Sequence, residues 1–182
     1  MIVYKDGTLY ASTSGNTPLY HRSKSLRLRR LFYVGKCTVV AISGVLPVFT
    51  DLTGILKNLA FYVMEYEKTG KFAIPLEVSQ THRIFSGIMR NYFILTVKGL
   101  YQINEDGLTV LDDEDVHVHG SQAGLFRMCY QHYGDVEKCF RDMHKYDDFI
   151  SEEIITAHRH KLGTKYVVDN RQYSSTIMGE GN

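Results

Sequence analysis

Asp6-Gly7, set between the β-prone tetrapeptides Ile2-Val3-Tyr4-Lys5 and Thr8-Leu9-Tyr10-Ala11, commits the start of this chain to a tight antiparallel hairpin. A two-residue connection of this kind needs positive φ at both central positions, which Asp tolerates and Gly adopts freely. A loop rich in Ser, Thr, Gly and Asn follows. A second hairpin is then predicted from Leu31-Phe32-Tyr33-Val34, a Gly35-Lys36 turn, and Cys37 to Ile42. Two hairpins in succession make the sheets antiparallel and exclude a doubly wound fold, whose parallel strands are joined through helices.

The period then changes. Leu52, Ile55, Leu56, Leu59, Val63 and Met64 recur at helical spacing, which predicts an amphipathic helix from Pro47 to about Lys68, stopped by Gly70. Strands are predicted at Ile84 to Met89, Asn91 to Val97, Leu100 to Ile103, Leu108 to Leu111 and Val116 to Gly120. After Ser121 a stripe of Leu125, Met128, Cys129 and His132, flanked by Ala123, Phe126, Tyr130 and Tyr133, predicts a helix that Gly134 ends. Asp135 caps a second helix carrying Val136, Cys139, Phe140 and Met143, and so short a joint makes the two antiparallel. Ser151 to His158 is a final strand. Strand groups alternating with helix groups predict an α+β chain, and two stacked sheets with helices outside, an αββα sandwich, would bury every apolar face.

At 182 residues and 44% hydrophobic, the chain is long enough for one domain with its own core, expected over residues 1–162, with 163–182 as a partly ordered tail. The three Cys include no C-x-x-C pair, so neither a disulfide framework nor a zinc knuckle is expected, and the apolar neighbours of Cys37, Cys129 and Cys139 suggest buried thiols. No long uncharged apolar run and no basic-then-apolar leader are present, so the expectation is a cytoplasmic protein with no membrane contact.

Three stretches, Ile2 to Ala11, Leu26-Arg27-Leu28-Arg29-Arg30-Leu31, and Thr38 to Gly44 ahead of a long helix, together resemble the N-terminal half of proteasome β-type subunits. The bacterial proteasome-like protease subunit and small phage-encoded versions are the nearest in pattern. Phe93 to Ile103 resembles a hairpin of that family, and Val118-His119-Gly120-Ser121 resembles the turn before its helix pair. The likeness runs over about residues 1 to 160 in element order. It implies the N-terminal nucleophile hydrolase fold, a four-layer αββα sandwich, and self-assembly into rings. It also implies a chemistry: an N-terminal Thr, Ser or Cys supplies nucleophile and base, a Lys lowers the local proton affinity, and an Asp orients the Lys. The matching positions here are Ile2, Arg27 and Thr13. Ile2 has no nucleophilic atom, and Arg27 cannot surrender a proton at neutral pH. The resemblance therefore implies the fold without the activity: a silent module acting by binding and self-assembly, in the setting of a phage accessory or host-interaction protein. The enzymatic alternative is a divergent amidohydrolase or protease using Ser12 or Thr13 after a cut that would remove a sheet strand.

The net charge of +1 conceals two blocks. Arg22, Lys24, Arg27, Arg29, Arg30 and Lys36 stand without an acid among them; Glu105, Asp106, Asp112, Asp113, Glu114 and Asp115 stand without a base. Such blocks are either solvated surfaces or, at the basic block, a site for a small anion or for the acidic loop of a neighbouring copy. Nucleic-acid binding is disfavoured because no RNP, zinc-finger or helix-turn-helix signature accompanies the cations. The pairs His117/His119 and His158/His160 share a strand face each but lack a third ligand, so they are read as surface or interface histidines, and no metal or cofactor is assigned. Ser43-Gly44 and Gly120-Ser121 fit turns and lie in no nucleophile motif.

Overall fold

A computed structural model describes residues 1–12, 30–44, 52–73, 91–104, 106–120, 122–146, 150 and 153–163. The opening hairpin forms as its turn requires: β1 (Ile2–Lys5) pairs with β2 (Thr8–Ser12) across Asp6 at φ 48° and Gly7 at φ 71°. It is not peripheral. The sheet order is β8-β1-β2-β9, so both strands of the hairpin are central, flanked by β8 (His117–His119) and β9 (Ile154–His158). The second sheet runs β3-β4-β5-β6-β7, from β3 (Leu31–Val34) through β4 (Thr38–Ser43), β5 (Asn91–Thr96) and β6 (Leu100–Asn104) to β7 (Gly107–Leu111). Every pairing is antiparallel. Three helices complete an α+β architecture among the described residues: α1 (Leu52–Thr69), α2 (Ala123–Tyr133) and α3 (Val136–His144).

Alternation along the strands sorts the apolar side chains into three clusters. Ile2, Tyr4, Leu9 and Ala11 of one sheet meet Val39, Ala41, Phe93, Leu95 and Leu100 of the other in a shared cluster. Val40, Ile42, Tyr92, Ile94 and Ile103 turn the opposite way, onto Leu56, Leu59 and Val63 of α1. Val3 and Val118 turn onto Phe126 of α2 and Val136, Cys139, Phe140 and Met143 of α3. The β5–β6 turn and α1 are tied by one carboxylate. Glu67, with its side chain only 9% exposed, accepts from Thr96 Oγ1 at 2.5 Å and from the Tyr101 hydroxyl, whose pKa burial and that bond push up to about 12.

Two expectations are corrected. In α2 the buried residue is Phe126, while Leu125, Met128 and Tyr133 are exposed. The helix carries two apolar stripes offset by one residue, and packing selects the one whose Phe126 ring meets Phe140 edge-on at 5.2 Å. Cys139 is buried, but Cys37 is exposed, because 35–37 form the turn between β3 and β4 and not the start of a strand. The described part of the first helix starts at Leu52, and the predicted strand at 84–89 lies outside the described residues, as do 47–51. Gly134 and Asp135 act as expected: the Gly134 N–H bonds Tyr130 O at 2.7 Å, and Asp135 Oδ1 accepts from Lys138 N at 2.8 Å. Phe140→Ala should lower unfolding free energy by about 3–5 kcal/mol in urea titrations. Met128→Ser should change it by less than about 0.5 kcal/mol. The reverse ranking would restore the Leu125–Met128 face to the core.

Candidate functional site

The two sheets share their ends in a definite sense. Across the central cluster the rings of Phe93 and His119 lie 4.7 Å apart, with Ala41 opposite Phe93 in one sheet and Ile2 opposite His119 in the other. Beyond this contact β4 runs out at Ser43 and Gly44, β1 at Met1, β2 at Ser12 and β8 at Gly120. The other end is marked by Arg159 N donating to Gly7 O at 2.8 Å and Gly163 N donating to Lys36 O at 2.9 Å, which brings the Asp6-Gly7 and Gly35-Lys36 turns together. Met1, Ser12, Gly120, Arg30, Ser43 and Gly44 therefore gather at a single end.

That end is built tightly. Ser12 N donates to Met1 O at 3.0 Å, and the Ser12 side chain is buried. Gly120 sits at φ 146°, where a Cβ would come 3.2 Å from the Met1 Cα; the close approach and the backbone conformation both call for glycine. Ile2 is 2% exposed, its side chain turned into the cluster between the sheets. Arg30 extends β3 by one position, its carbonyl accepting from Ile42 N at 2.8 Å. Its Nη1 donates to the carbonyls of Ile42 at 3.3 Å and Gly44 at 2.5 Å. The Arg30 Nε is buried with no hydrogen-bond partner, and burial alone pulls the guanidinium pKa down; no carboxylate among the described residues neutralises it. His119 is half-buried, and its pKa is lowered by burial and then by the positive charges of Arg127 and His117.

The site thus offers a permanent cation, two serines and a neutral imidazole beside an aliphatic strand head. Of the candidate catalytic and binding residues of the sequence it contains Ile2, Ser12 and Arg30, together with His119 of the first His-x-His pair and the turn residues Ser43, Gly44 and Gly120. Thr13, Arg22, Lys24, Arg27 and Arg29 lie outside the described residues. Lys36 is separated from this end. It stands at the far end of β3, whose four residues rise about 13 Å, so the block of cations is not one continuous surface. The acidic loop is also at the far end and is partly engaged within the chain. Asp113 receives the Tyr4 hydroxyl and the Arg159 guanidinium, Lys5 Nζ donates to Glu114 O at 2.6 Å, and Asp112 accepts from Asp115 N at 3.0 Å. The Tyr4 pKa is accordingly held well above the usual tyrosine range, by burial first and by the Asp113 bond second.

The burial of His119 and Arg30 was not legible in the sequence. His117 and His119 share a strand face as expected, and the pairing of β8 beside β1 turns that face inward. His160 departs from the expectation, because β9 ends at His158 and His160 lies in the short 3-10 turn Arg159–Lys161. No family model matches this chain, and no curated protein does. Among solved structures it is similar to eukaryotic HslV from Trypanosoma brucei, with a TM-score of 0.59 over 86% of this chain and 97% of that one, at 12% identity. The likeness is one of fold.

A histidine buried as the neutral base makes stability depend on pH with a definite sign. The unfolded chain binds the proton near pH 6.5 while folded His119 resists it, so stability is present above that value and is lost as pH falls below it. His158 contributes in the same direction, lowered by burial and by Lys161 and His160. The melting temperature should fall between pH 7.5 and 5.5, and His119→Gln should shrink that fall; an unchanged slope would show that His119 is not held neutral.

Proposed function

We propose that this chain is a catalytically silent, proteasome-like module of four-layer αββα form that works by self-assembly and binding. The observation that carries the reading is the head of β1. Where the fold's chemistry needs a free nucleophile, Ile2 presents an aliphatic side chain packed between the sheets at 2% exposure. The alternative nucleophiles fit poorly with the sheet order. A cut ahead of Ser12 or Thr13 would detach β1 and all or nearly all of β2, the two central strands of a four-stranded sheet. That loss exposes the apolar faces of two clusters, far more than the single edge strand such a cut suggests from sequence.

Self-assembly follows from the family resemblance. The same resemblance, to phage-encoded forms, supports a phage accessory or host-interaction role in the cytoplasm. Among the described residues no helix is long and apolar enough to cross a membrane. The purified chain should size as an oligomer by light scattering. Its intact mass should stay unchanged after incubation with a peptide vinyl sulfone or a β-lactone, reagents that acylate or alkylate activated N-terminal nucleophiles. A covalent adduct on a Ser, Thr or Cys at a new N-terminus would replace this reading with that of an active hydrolase.

Arg30 favours a second reading, that the Met1 end receives a small carboxylate or phosphate. A partly buried guanidinium with no carboxylate partner among the described residues is costly to keep charged, and an incoming anion would relieve that cost. Calorimetry with inorganic phosphate should detect binding to the native chain that Arg30→Gln abolishes while its melting remains cooperative. Equal binding by both proteins would place the anion elsewhere.

A further inference from the structure

Strand β7 (Gly107–Leu111) ends the five-stranded sheet, and nothing among the described residues pairs with its outer side. Its register with β6 shows which backbone groups are free to act. Asn104 pairs with Gly107 only three positions on, and the pair that closes so short a connection exchanges both hydrogen bonds. Alternation then gives the same bonds to Gln102 with Thr109 and Leu100 with Leu111. The N–H and C=O groups of Leu108 and Val110 consequently point away from β6, to the open edge.

Natural edge strands are usually blunted by an inward charge, a proline or a bulge. Gly-Leu-Thr-Val-Leu has none of these, and Val110 is 54% exposed beside an exposed Thr109. Charge is instead placed at the two ends. Asp106 is exposed before the strand, and Asp112, Glu114 and Asp115 are exposed after it. The cations nearby are already occupied: Lys98 reaches the Glu67 carbonyl at 3.3 Å and its carboxylate at 3.9 Å, Arg159 pairs with Asp113, and Lys5 lies against Glu114 O.

We propose that β7 is a docking edge for an extended segment of a partner protein, with an apolar, β-prone centre flanked on both sides by Lys or Arg. The incoming backbone adds a strand through the Leu108 and Val110 groups, its side chains cover Val110 on one face and Thr109 on the other, and its flanks meet the acids at each end. A second β7 is the wrong occupant. Whether the two strands ran parallel or antiparallel, acid would stand beside acid at both ends, and like charges placed opposite each other destabilise a pair. The proposal concerns the far edge from Arg30 and does not depend on whether the Met1 end is silent.

The test uses the full chain and two fluorescein-labelled peptides that share a Val-Thr-Val-Tyr-Val centre, one flanked by Lys-Arg and the other by Glu-Asp, read by anisotropy. The basic-flanked peptide should bind at least roughly tenfold more tightly. Its affinity should fall several-fold between about 50 and about 500 mM salt. Val110→Pro removes one outward N–H while sparing the β6 ladder, and should weaken binding roughly tenfold. Should that variant melt without cooperativity, the triple change Asp106→Asn, Glu114→Gln, Asp115→Asn serves instead and should abolish the preference between the peptides. Equal binding of both peptides, no binding of either, or binding indifferent to Val110→Pro in a folded protein would overturn the proposal. So would oligomers of the native chain that Val110→Pro disperses, since a second copy would then be the occupant.

Discussion

Both strands of the first hairpin are interior to their sheet, and the arrangement of the rest follows from that placement. β1 has β8 on one side and β2 on the other; β2 has β9. With a neighbour on each side and a packed cluster on each face, Ile2, Val3, Tyr4, Leu9 and Ala11 are all essentially buried within the first twelve residues. A segment usually free to fray is here as constrained as any part of the core. The hairpin also sets the two ends of the molecule. Its turn collects Arg159 and the acidic loop through Gly7 and Tyr4, while its open side collects Ser12, Gly120 and the end of β4.

Much of this was legible because local and long-range demands coincide. Asp6-Gly7 specifies a turn whatever surrounds it, and Asp135 and Gly134 specify helix ends by bonds to residues three or four positions away. Val136, Cys139, Phe140 and Met143 form the one apolar stripe of α3, so period alone identified the buried face. In α2 the period allowed two stripes, and the choice lay with Phe140, a residue on another helix. The site was harder for the same reason. Ile2 was identifiable as a strand head without a nucleophile, but that Arg30 is enclosed by the Ile42 and Gly44 carbonyls, and that His119 lies against Phe93, are facts of sheet stacking that no spacing encodes.

The charge blocks show how far linear arithmetic carries. Six cations and six acids nearly adjacent in sequence suggested two opposed surfaces. In three dimensions β3 splits the described cations between its ends, and Tyr4, Lys5 and Arg159 draw part of the acidic loop into the chain's own bonding. Among the described residues, what remains is narrower: the partly buried Arg30 guanidinium at the Met1 end, and exposed acids bracketing the β7 edge.

Those two remainders differ in kind, and the difference bears on what each can hold. Arg30 is partly buried, with its Nε withdrawn from water, so its charge is less screened and suits a small anion that can shed its water. The acids around β7 are exposed and screened within a Debye length, so they act by orienting and selecting an approaching segment, with the holding left to backbone groups and apolar contact. The two sheets leave a partly buried cation at one end and, among the described residues, an open edge strand at the side, and neither feature involves the Ile2 side chain.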